Sequence, residues 1–404
     1  MTTKARPRLI FTLILITAVS LMSFGMFLPS LGVMASEFEI GYETMALSVS
    51  GYLAFTAVLQ LIIGPLADRY GRRPVLLGSF ALFSAASIGC SVSDDFATFL
   101  VFRILQGSVI TGAALSRAVV SDIAEPQKAA SILGYIAMSM SLAPILSPAI
   151  GGIISEFAGW RANFWVYTGL GVALWILIWF QLPETRKEKA VDRTGFLNSY
   201  AQLLRNVHFW GYALLMSLSL GAFYVFISGV PFIGAEQMEL SQLQIGFGLG
   251  SITIGFLIGS FLSGKLSASR ELISMILLGR CVSTIGLTAC VLVLLIGGIS
   301  PWNFFGGTLF VGLGNGLSMP SANSAVMFVR KDLSATASGL SGSVMVAMGA
   351  VLSAVTGVIV KAQPSAIALT ALMLALSAAS LLIAVLIRRD LHKSSRFEVT
   401  DKGI

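Results

Sequence analysis

The most informative stretch of the chain is Gly64–Pro74, which reads Gly-Pro-Leu-Ala-Asp-Arg-Tyr-Gly-Arg-Arg-Pro. It joins two long apolar runs. Glycine leaves φ free and proline fixes it, so the two together suit a tight turn between helices. Asp68 is then free to accept a charged hydrogen bond or to face a helix N-terminus, and we expect its partner near Ser334, at the start of the eleventh apolar segment. The positions to which we assign a gating role are Gly64, Asp68, Arg69, Gly71, Arg72 and Arg73.

The composition around this turn is that of an integral membrane protein. Hydrophobic residues make up 56% of the 404 residues and charged residues only 11%, against about 25% charged in soluble proteins. A soluble enzyme, a nucleic-acid-binding protein and a disordered chain fit this balance poorly. Uncharged runs of about 20 residues, the length that a helix needs to cross a bilayer, recur along the chain. The longest, Cys281–Val329, is long enough for two helices, and Gly297–Pro301 predicts the break between them.

These runs predict an all-α membrane protein with twelve transmembrane helices, an even number that puts both termini on one side. If that side is the cytoplasm, 21 of the 26 lysines and arginines lie in cytoplasmic segments and two lie outside. This distribution satisfies the positive-inside rule. The other three, Arg103, Arg117 and Arg280, fall within helices. For Arg280 we expect a side chain that extends to the cytoplasmic surface.

The longest polar stretch inside the chain divides the helices six plus six. We therefore predict an N-terminal six-helix bundle at 1–182, a cytoplasmic linker at 183–206, a C-terminal six-helix bundle at 207–387 and a cytoplasmic tail at 388–404. The halves echo each other, since Gly64–Ala67 has a counterpart in Gly264–Ser267 at the equivalent place. Internal repeats with a site at their interface are typical of secondary transporters.

Further motifs make a family recognisable. The turn at Gly64–Pro74 resembles the signature of the major facilitator superfamily, and other segments resemble its drug:proton antiporter branch, in particular bicyclomycin- and chloramphenicol-resistance exporters. The segments that carry the second resemblance are Arg103–Gly107, Leu142–Gly152, Trp160-Arg161 and Leu182–Thr185. The resemblance implies multidrug efflux by alternating access across the bacterial inner membrane.

The same resemblance assigns roles to individual residues. It implies that Arg103 is a substrate-pocket or coupling residue, and that a Gly-Pro-rich motif in the fifth helix seals the leak path of an antiporter. Arg117 lies 14 positions after Arg103, on nearly the same helix face and about 21 Å deeper. We expect it to form a structural or gating salt-bridge cluster with Asp68 and Asp122. The residues of the antiporter motif are Pro144, Pro148, Gly151 and Gly152.

The chain departs from the branch in its first helix. Many such exporters carry an acidic residue shortly before the Leu-Pro that ends this helix, and here Gly25 stands in that place. None of the nineteen acidic residues falls near the predicted midplane, and the deepest is Asp122. If proton antiport occurs, we expect Asp122 or Asp68 to titrate, or substrate and proton to compete indirectly.

The missing acid also bears on the substrate. A cavity that holds Arg103 and no carboxylate should favour neutral or anionic compounds over lipophilic cations. Methionine and aromatic side chains, which repack around unlike ligands, would line its walls together with two amides. The residues that we expect in this cavity are Met22, Met26, Tyr52, Phe55, Met138, Tyr224, Asn315 and Asn323.

We therefore expect a transporter that exports small amphipathic drugs or toxic compounds from the cytoplasm by proton antiport and that works as a monomer in lipid. No cofactor, metal or nucleic acid is expected, because the only histidines are His208 and His392 and the three cysteines lie inside apolar runs. Without a base or metal site, an enzyme is not expected. Two alternatives stay open: a transporter of a single metabolite, and, ranked lower, a non-transporting membrane sensor.

Overall fold

A computed structural model of the chain describes residues 7–123, 126–185, 200–266, 270–330 and 333–401, and these ranges contain helices and no strand. Helical segments joined by a 3-10 turn share one label below. The helices of the first half are α1 (Pro7–Glu37), α2 (Leu47–Tyr70), α3 (Arg72–Val92), α4 (Phe96–Gln106 continuing as Ile110–Ile123), α5 (Pro126–Ala158) and α6 (Arg161–Gln181). Those of the second half are α7 (Val207–Met238), α8 (Gln242–Leu266), α9 (Leu272–Ile296), α10 (Pro301–Phe328), α11 (Ser334–Ala362) and α12 (Ala366–Asp401).

Most of these helices can cross a membrane. Within the described ranges, ten are long and apolar enough to do so. The ten leave out α10 and also α5, in which Leu146–Ala158 forms a shorter apolar helix. The all-helical, membrane-spanning character that the composition predicts is therefore confirmed.

The break predicted in the longest apolar run is also confirmed. Helix α9 ends at Ile296 and α10 begins at Pro301. Gly298 has a φ of +79°, which favours glycine, and the Ser300 hydroxyl accepts a hydrogen bond of 3.2 Å from the backbone N–H of Asn303. Proline at the first helical position loses no hydrogen bond there. Local chemistry thus ends one helix and starts the next within four residues.

Two helices change to 3-10 geometry along their length. In α1 the 3-10 turn is Leu28–Ser30, where proline lacks the N–H that a continuous α-helix would use. In α4 it is Gly107–Val109, just after the buried Arg103. The start of α4 is capped by Asp95, which accepts from the N–H of Thr98 at 2.9 Å. This hydrogen bond lowers the pKa of the Asp95 carboxyl from its ordinary value.

The chain divides into two compact units that do not follow its halves. The first combines the described part of Met1–Asp192 with Ile227–Gly250 and Ala350–Pro364. The second combines the described part of Arg193–Phe226 and Ser365–Ile404 with that of Ser251–Gly349. The end of α7, the start of α8 and the end of α11 therefore belong with the first six helices. The predicted division into two six-helix bundles stays a prediction.

Glycines bring the helices of the second unit into close contact. A Cβ at Gly312 would lie 2.7 Å from the backbone nitrogen of Phe256, and one at Gly316 would lie 2.6 Å from that of Ser260. Small residues at such crossings let helix backbones approach in lipid. The glycine-rich segment of α10 is thus a packing surface against α8.

We predict that Gly316→Leu strongly lowers the yield of folded protein. A leucine there overlaps the backbone of α8, and overpacking costs about 1–3 kcal/mol or more. The matched control is Gly306→Leu on the same helix, because a Cβ at Gly306 meets nothing within 4 Å. The measurement is the monodisperse fraction on gel filtration in mild detergent. Equal yields of the two variants would contradict the packing role.

Candidate functional site

Arg103 is buried in the first unit, between two aromatic rings. Its side chain on α4 is 0% exposed. The guanidinium carbon lies 3.9 Å from the ring centre of Phe27 and 4.3 Å from that of Tyr52. The planar guanidinium can stack in this way, which an ammonium group cannot. Arg103 therefore points into the helix bundle and is not a lipid-facing residue.

Polar groups surround the edge of the guanidinium. One terminal nitrogen donates to the Ser23 carbonyl at 3.2 Å and also to the Gln106 side chain. The Gln106 amide in turn donates to Ser87 at 2.7 Å. The Tyr52 and Ser23 hydroxyls are 3.0 Å apart. Arg103 thereby joins α1, α2, α3 and its own helix through one polar network.

The network leaves the charge only partly satisfied. Stacking on a desolvated ring contributes ~2 kcal/mol, and a hydrogen bond to a charged group contributes about 1.5–3 kcal/mol. These gains oppose the desolvation penalty of several kcal/mol that burial imposes on a charged group. However, Nε and the second terminal nitrogen of Arg103 have no hydrogen-bond partner, and no ion pair with a carboxylate is found among the described residues. In this conformation Arg103 is a buried cation with unused donors.

Gly25, which stands where many exporters carry an acidic residue in the first helix, packs closely against α5. A Cβ at Gly25 would lie 3.0 Å from Cβ of Ser147 and closer still to its hydroxyl, so α5 occupies the space that a side chain would need. Gly151, about one helical turn further along α5, lies against the backbone of Met26. Glycine at position 25 is therefore part of a close contact between α1 and α5. An acidic side chain there would require these helices to separate.

The Gly151-Gly152 pair brings α5 against two neighbours. Gly151 contacts α1, and a Cβ at Gly152 would lie 2.6 Å from the carbonyl oxygen of Gln242 at the start of α8. Pro148 is buried in the same helix. The side chain of Pro144 lies outside the described residues, as do those of Asp68 and Met138. The partner predicted for Asp68 therefore stays a prediction.

The turn between α2 and α3 is held by the end of α6. Gly71 has a φ of +101°, a conformation that favours glycine. The carboxylate of Glu184 accepts from the backbone N–H groups of Arg72 at 2.9 Å and Arg73 at 3.3 Å. Arg73 also donates to the carbonyl of Trp179 at 2.7 Å. The Leu182–Thr185 segment thus anchors the turn, a role that its sequence alone does not indicate.

Asp122 and Arg117 contact different parts of the first unit. Asp122 lies 3.4 Å from Nε of Arg72 and also accepts from the Thr185 hydroxyl at 3.4 Å. Arg117 is exposed, and its Nε donates to the carbonyl of Ala113 in its own helix. Asp122 thus belongs to the cluster around the α2–α3 turn, and the salt-bridge cluster expected for Arg117 with Asp68 and Asp122 stays a prediction. Within the same turn, Gly64 is half-buried and Arg69 is exposed.

Arg280 corrects one expectation. Its side chain does not extend to the surface but is 1% exposed, and it donates to Asn315 at 2.6 Å and to Ser318 at 2.7 Å. The Asn315 amide donates onward to the carbonyl of Ser219 at 3.2 Å. The sequence did not reveal this because Arg280 lies nine residues into α9, close enough to the surface for either arrangement. Both partners of Arg280 lie on α10, and Asn315 connects them to α7 of the same unit.

We predict that Asn315→Leu destabilises the protein through Arg280. The change removes the side-chain oxygen that accepts from Arg280 at 2.6 Å and leaves the buried charge with fewer partners. Removing a partner of a buried charge typically lowers the free energy of unfolding by about 3–5 kcal/mol. Arg280→Met in the same background should restore much of the loss, because it removes the charge itself. Melting temperatures of the two single variants and the double variant in detergent measure this coupling. Strictly additive effects would contradict it.

The expected cavity residues fall into two groups. Tyr52 is buried against Arg103, Met26 is buried against α5, and Met22 and Phe55 are half-buried nearby in the first unit. In the second unit Tyr224 is buried against Gly349, whereas Asn323 is exposed. Asn315 is engaged by Arg280. Gln106 and Phe27, which complete the Arg103 site, could have been found from the i, i+3 spacing of Arg103 and Gln106 and from the Leu-Pro break.

One end of the first unit is held closed by a clasp, which we define as Tyr42, Glu43, Ser228 and Lys361. Lys361 at the end of α11 forms an ion pair with Glu43, just before α2. The Tyr42 hydroxyl donates to the Ser228 carbonyl at 2.6 Å. A Cβ at Gly357 would lie 2.7 Å from that of Ala46, so α11 packs directly on this end of α2. A cavity of about 480 Å³ lies beside the clasp.

Long apolar helices that pack through glycine contacts and bury an arginine are typical of membrane proteins with a functional site inside the helix bundle. Residues 13–354 match the model of the Major Facilitator Superfamily, and the chain belongs to this family. It is therefore a transporter and not an enzyme.

Relatives and a solved structure agree with this assignment. The chain is 31% identical over 247 residues to a chloramphenicol resistance protein of Pseudomonas aeruginosa, covering 60% of this chain and 58% of that protein. It is 26% identical over 360 residues to a bicyclomycin resistance protein homolog of Haemophilus influenzae, covering 86% and 89%. A crystal structure of a D-xylose-proton symporter has the same fold, with a TM-score of 0.75, 11% identity and 93% and 96% coverage. Resistance to drugs is thus a property of relatives of this chain.

Proposed function

We propose that this transporter exports small amphipathic drugs or toxic compounds from the bacterial cytoplasm by proton antiport, with neutral or anionic compounds favoured. It crosses the inner membrane twelve times as a monomer, in two six-helix bundles with both termini in the cytoplasm. The observation that carries the proposal is the buried Arg103, stacked between Phe27 and Tyr52 without a carboxylate partner among the described residues. The named drug-resistance relatives support the substrate class.

The orientation rests on the distribution of charge. The α2–α3 turn with its three arginines and the linker after α6 lie on the predicted cytoplasmic side, and the clasp lies at the opposite end of α2. Cytoplasmic loops carry the excess of lysine and arginine in membrane proteins. We therefore place the clasp on the outer side, where it forms the outer gate of alternating access.

Arg103 fits a coupling role better than that of a fixed structural cation. A buried donor without a partner costs about 1–3 kcal/mol, and Arg103 has two such nitrogens in this conformation. A second conformation, or a bound substrate oxygen, that satisfies them would gain that free energy. The arginine thus favours a switch between states, and its charge excludes cationic substrates from the same place.

Arginine stays protonated in proteins and cannot itself carry the proton. Asp122 is the acidic residue best placed to do so, because it lies near the end of α4, the helix of Arg103, where it pairs with Arg72 and accepts a hydrogen bond from Thr185. Protonation of Asp122 would weaken its pairing with Arg72 and release the turn. Proton binding would in this way act on the α2–α3 turn and would need no direct contact with the substrate.

We predict that Asp122→Asn lowers drug-dependent proton movement by about tenfold, the size of a lost coupling free energy. The asparagine keeps the shape and one acceptor but cannot titrate. The control is Asp95→Asn at the opposite end of α4, which caps the helix and should leave coupling unchanged. Proton-coupled transport at the wild-type level in Asp122→Asn would contradict the role of Asp122 and favour Asp68 or indirect competition between substrate and proton.

The proposal is tested by accumulation of labelled compounds in energised cells. A neutral phenicol and an anionic drug should accumulate less in cells that produce the protein, and a lipophilic cationic dye of similar size should not change. Two alternatives predict other results. Export of one compound alone would indicate a transporter of a single metabolite, and no effect on any compound would favour a non-transporting sensor.

A further inference from the structure

A groove between α9 and α12 in the second unit is apolar along its length and basic at one end. Its volume is about 520 Å³. The apolar part is lined from two helices, and two arginines close one end. The lining residues are Leu277, Cys281, Leu381, Val385, Arg388 and Arg389.

The spacing of these residues makes one continuous slot. Leu277 and Cys281 are four residues apart on α9, and Leu381, Val385 and Arg389 repeat at the same interval on α12. Residues at this interval share one helix face. At 1.5 Å per residue, the slot from Leu381 to Arg389 is about 12 Å long. That length suits the upper part of an acyl chain, with a charged headgroup at the arginines.

Among the described residues, no acidic side chain pairs with either of the two arginines. The adjacent Asp390 lies 3.7 Å from Nδ1 of His208 on α7. In the part of the chain that the structure describes, neither Arg388 nor Arg389 forms an ion pair, and both are exposed. Arginine binds phosphate through two parallel hydrogen bonds. The end of the groove is thus complementary to a phosphate group.

We propose that this groove binds an anionic phospholipid, with its phosphate at Arg388 and Arg389 and one acyl chain against Cys281 and Val385. Leu382 and Leu386 beside the slot are 60% and 52% exposed, as expected of a face that meets lipid. A soluble phosphate would satisfy the arginines but leave the apolar slot unfilled. Basic sites between transmembrane helices commonly bind anionic headgroups on the cytoplasmic side. Only the assignment to that leaflet rests on the proposed orientation.

The test is native mass spectrometry of the full chain in detergent, with phosphatidylglycerol and phosphatidylcholine added in equal amounts. The wild type should retain phosphatidylglycerol in preference. The double variant Arg388→Gln, Arg389→Gln should lose that preference by on the order of tenfold. The matched control is Arg205→Gln, Arg270→Gln, which removes two exposed arginines outside the groove and should retain it. Equal binding of both lipids by the wild type, or an equal loss in the control, would overturn the proposal.

Two further arms separate a lipid from a free anion. Cys281→Phe fills the slot without changing any charge, and it should reduce phosphatidylglycerol binding as well. Glycerol phosphate carries the same phosphate chemistry without acyl chains and should not compete. Competition by glycerol phosphate, together with unchanged binding in Cys281→Phe, would show a site for soluble anions and refute the lipid site. These measurements need no transport, so a failure of the proposed export would leave their outcome unaffected.

Discussion

Export should fall by about tenfold or more when Arg103 is replaced by methionine, which is the loss expected when a coupling free energy disappears. Methionine is close to arginine in length and can fill the space between Phe27 and Tyr52, so the packing survives while the charge and the donors are lost. Arg103→Lys should be almost as inactive, since a compact ammonium group cannot stack on both rings and reach Gln106. The measurement is efflux of labelled chloramphenicol from energised cells, normalised to the amount of protein in the membrane.

The matched control for this result is Arg280→Met. Arg280 is an equally buried arginine of the second unit, but amide and hydroxyl oxygens surround it instead of aromatic rings. We expect it to change stability more than export per molecule. Wild-type export in Arg103→Met would contradict the role of Arg103. Equal losses in the two methionine variants would show that any buried arginine is needed, and would remove the special role of the stacked site.

A comparable loss of export should follow from Gly246→Leu, which disturbs the contact between α5 and the first part of α8 on the proposed outer side. A Cβ at Gly246 would lie 3.1 Å from the carbonyl carbon of Pro148 and 3.3 Å from Cα of Ala149, so a leucine would overlap the backbone of α5. The overlap would cost about 1–3 kcal/mol or more, and it would destabilise only the state in which the proposed outer end is closed. The closed state would be depopulated, and alternating access would stop.

The opening can be read from a cysteine introduced at Met45, which is fully buried beside the clasp. A membrane-impermeant maleimide added outside intact cells should label Met45→Cys slowly in the parent and faster in the Gly246→Leu background. Gly264→Leu at the other end of α8 is the control, because a Cβ there meets nothing within 4 Å. Unchanged labelling with unchanged export would show that the contact of α5 with α8 is not part of a gate.

Features that depend on local chemistry were predictable from the sequence. The break before Pro301 needs only glycine, a capping serine and a proline, and the structure has it between Ile296 and Pro301. Arg103 attracts notice because a charge within an apolar helix is costly and calls for a partner or a cavity. The family followed from short motifs, and the match over residues 13–354 confirms it.

Features that depend on distant pairing were not predictable. Glu43 and Lys361 are 318 residues apart, and nothing in either segment indicates the other. The partners of Arg280 lie 35 and 38 residues away on the next helix, at positions set by the crossing of α9 and α10. Gly25 was read only as a missing acid, whereas the structure shows a close contact with Ser147. The residue types in the sequence show which positions of a helix are unusual, but the packing of the helices determines which residues contact those positions.

The most direct test of the central proposal uses everted membrane vesicles energised by respiration, in which the pH gradient is followed as a neutral phenicol is added. We predict that the gradient falls on addition with the wild type, and that it does not fall with Arg103→Met. A stable gradient in wild-type vesicles that still accumulate the labelled phenicol would contradict proton antiport.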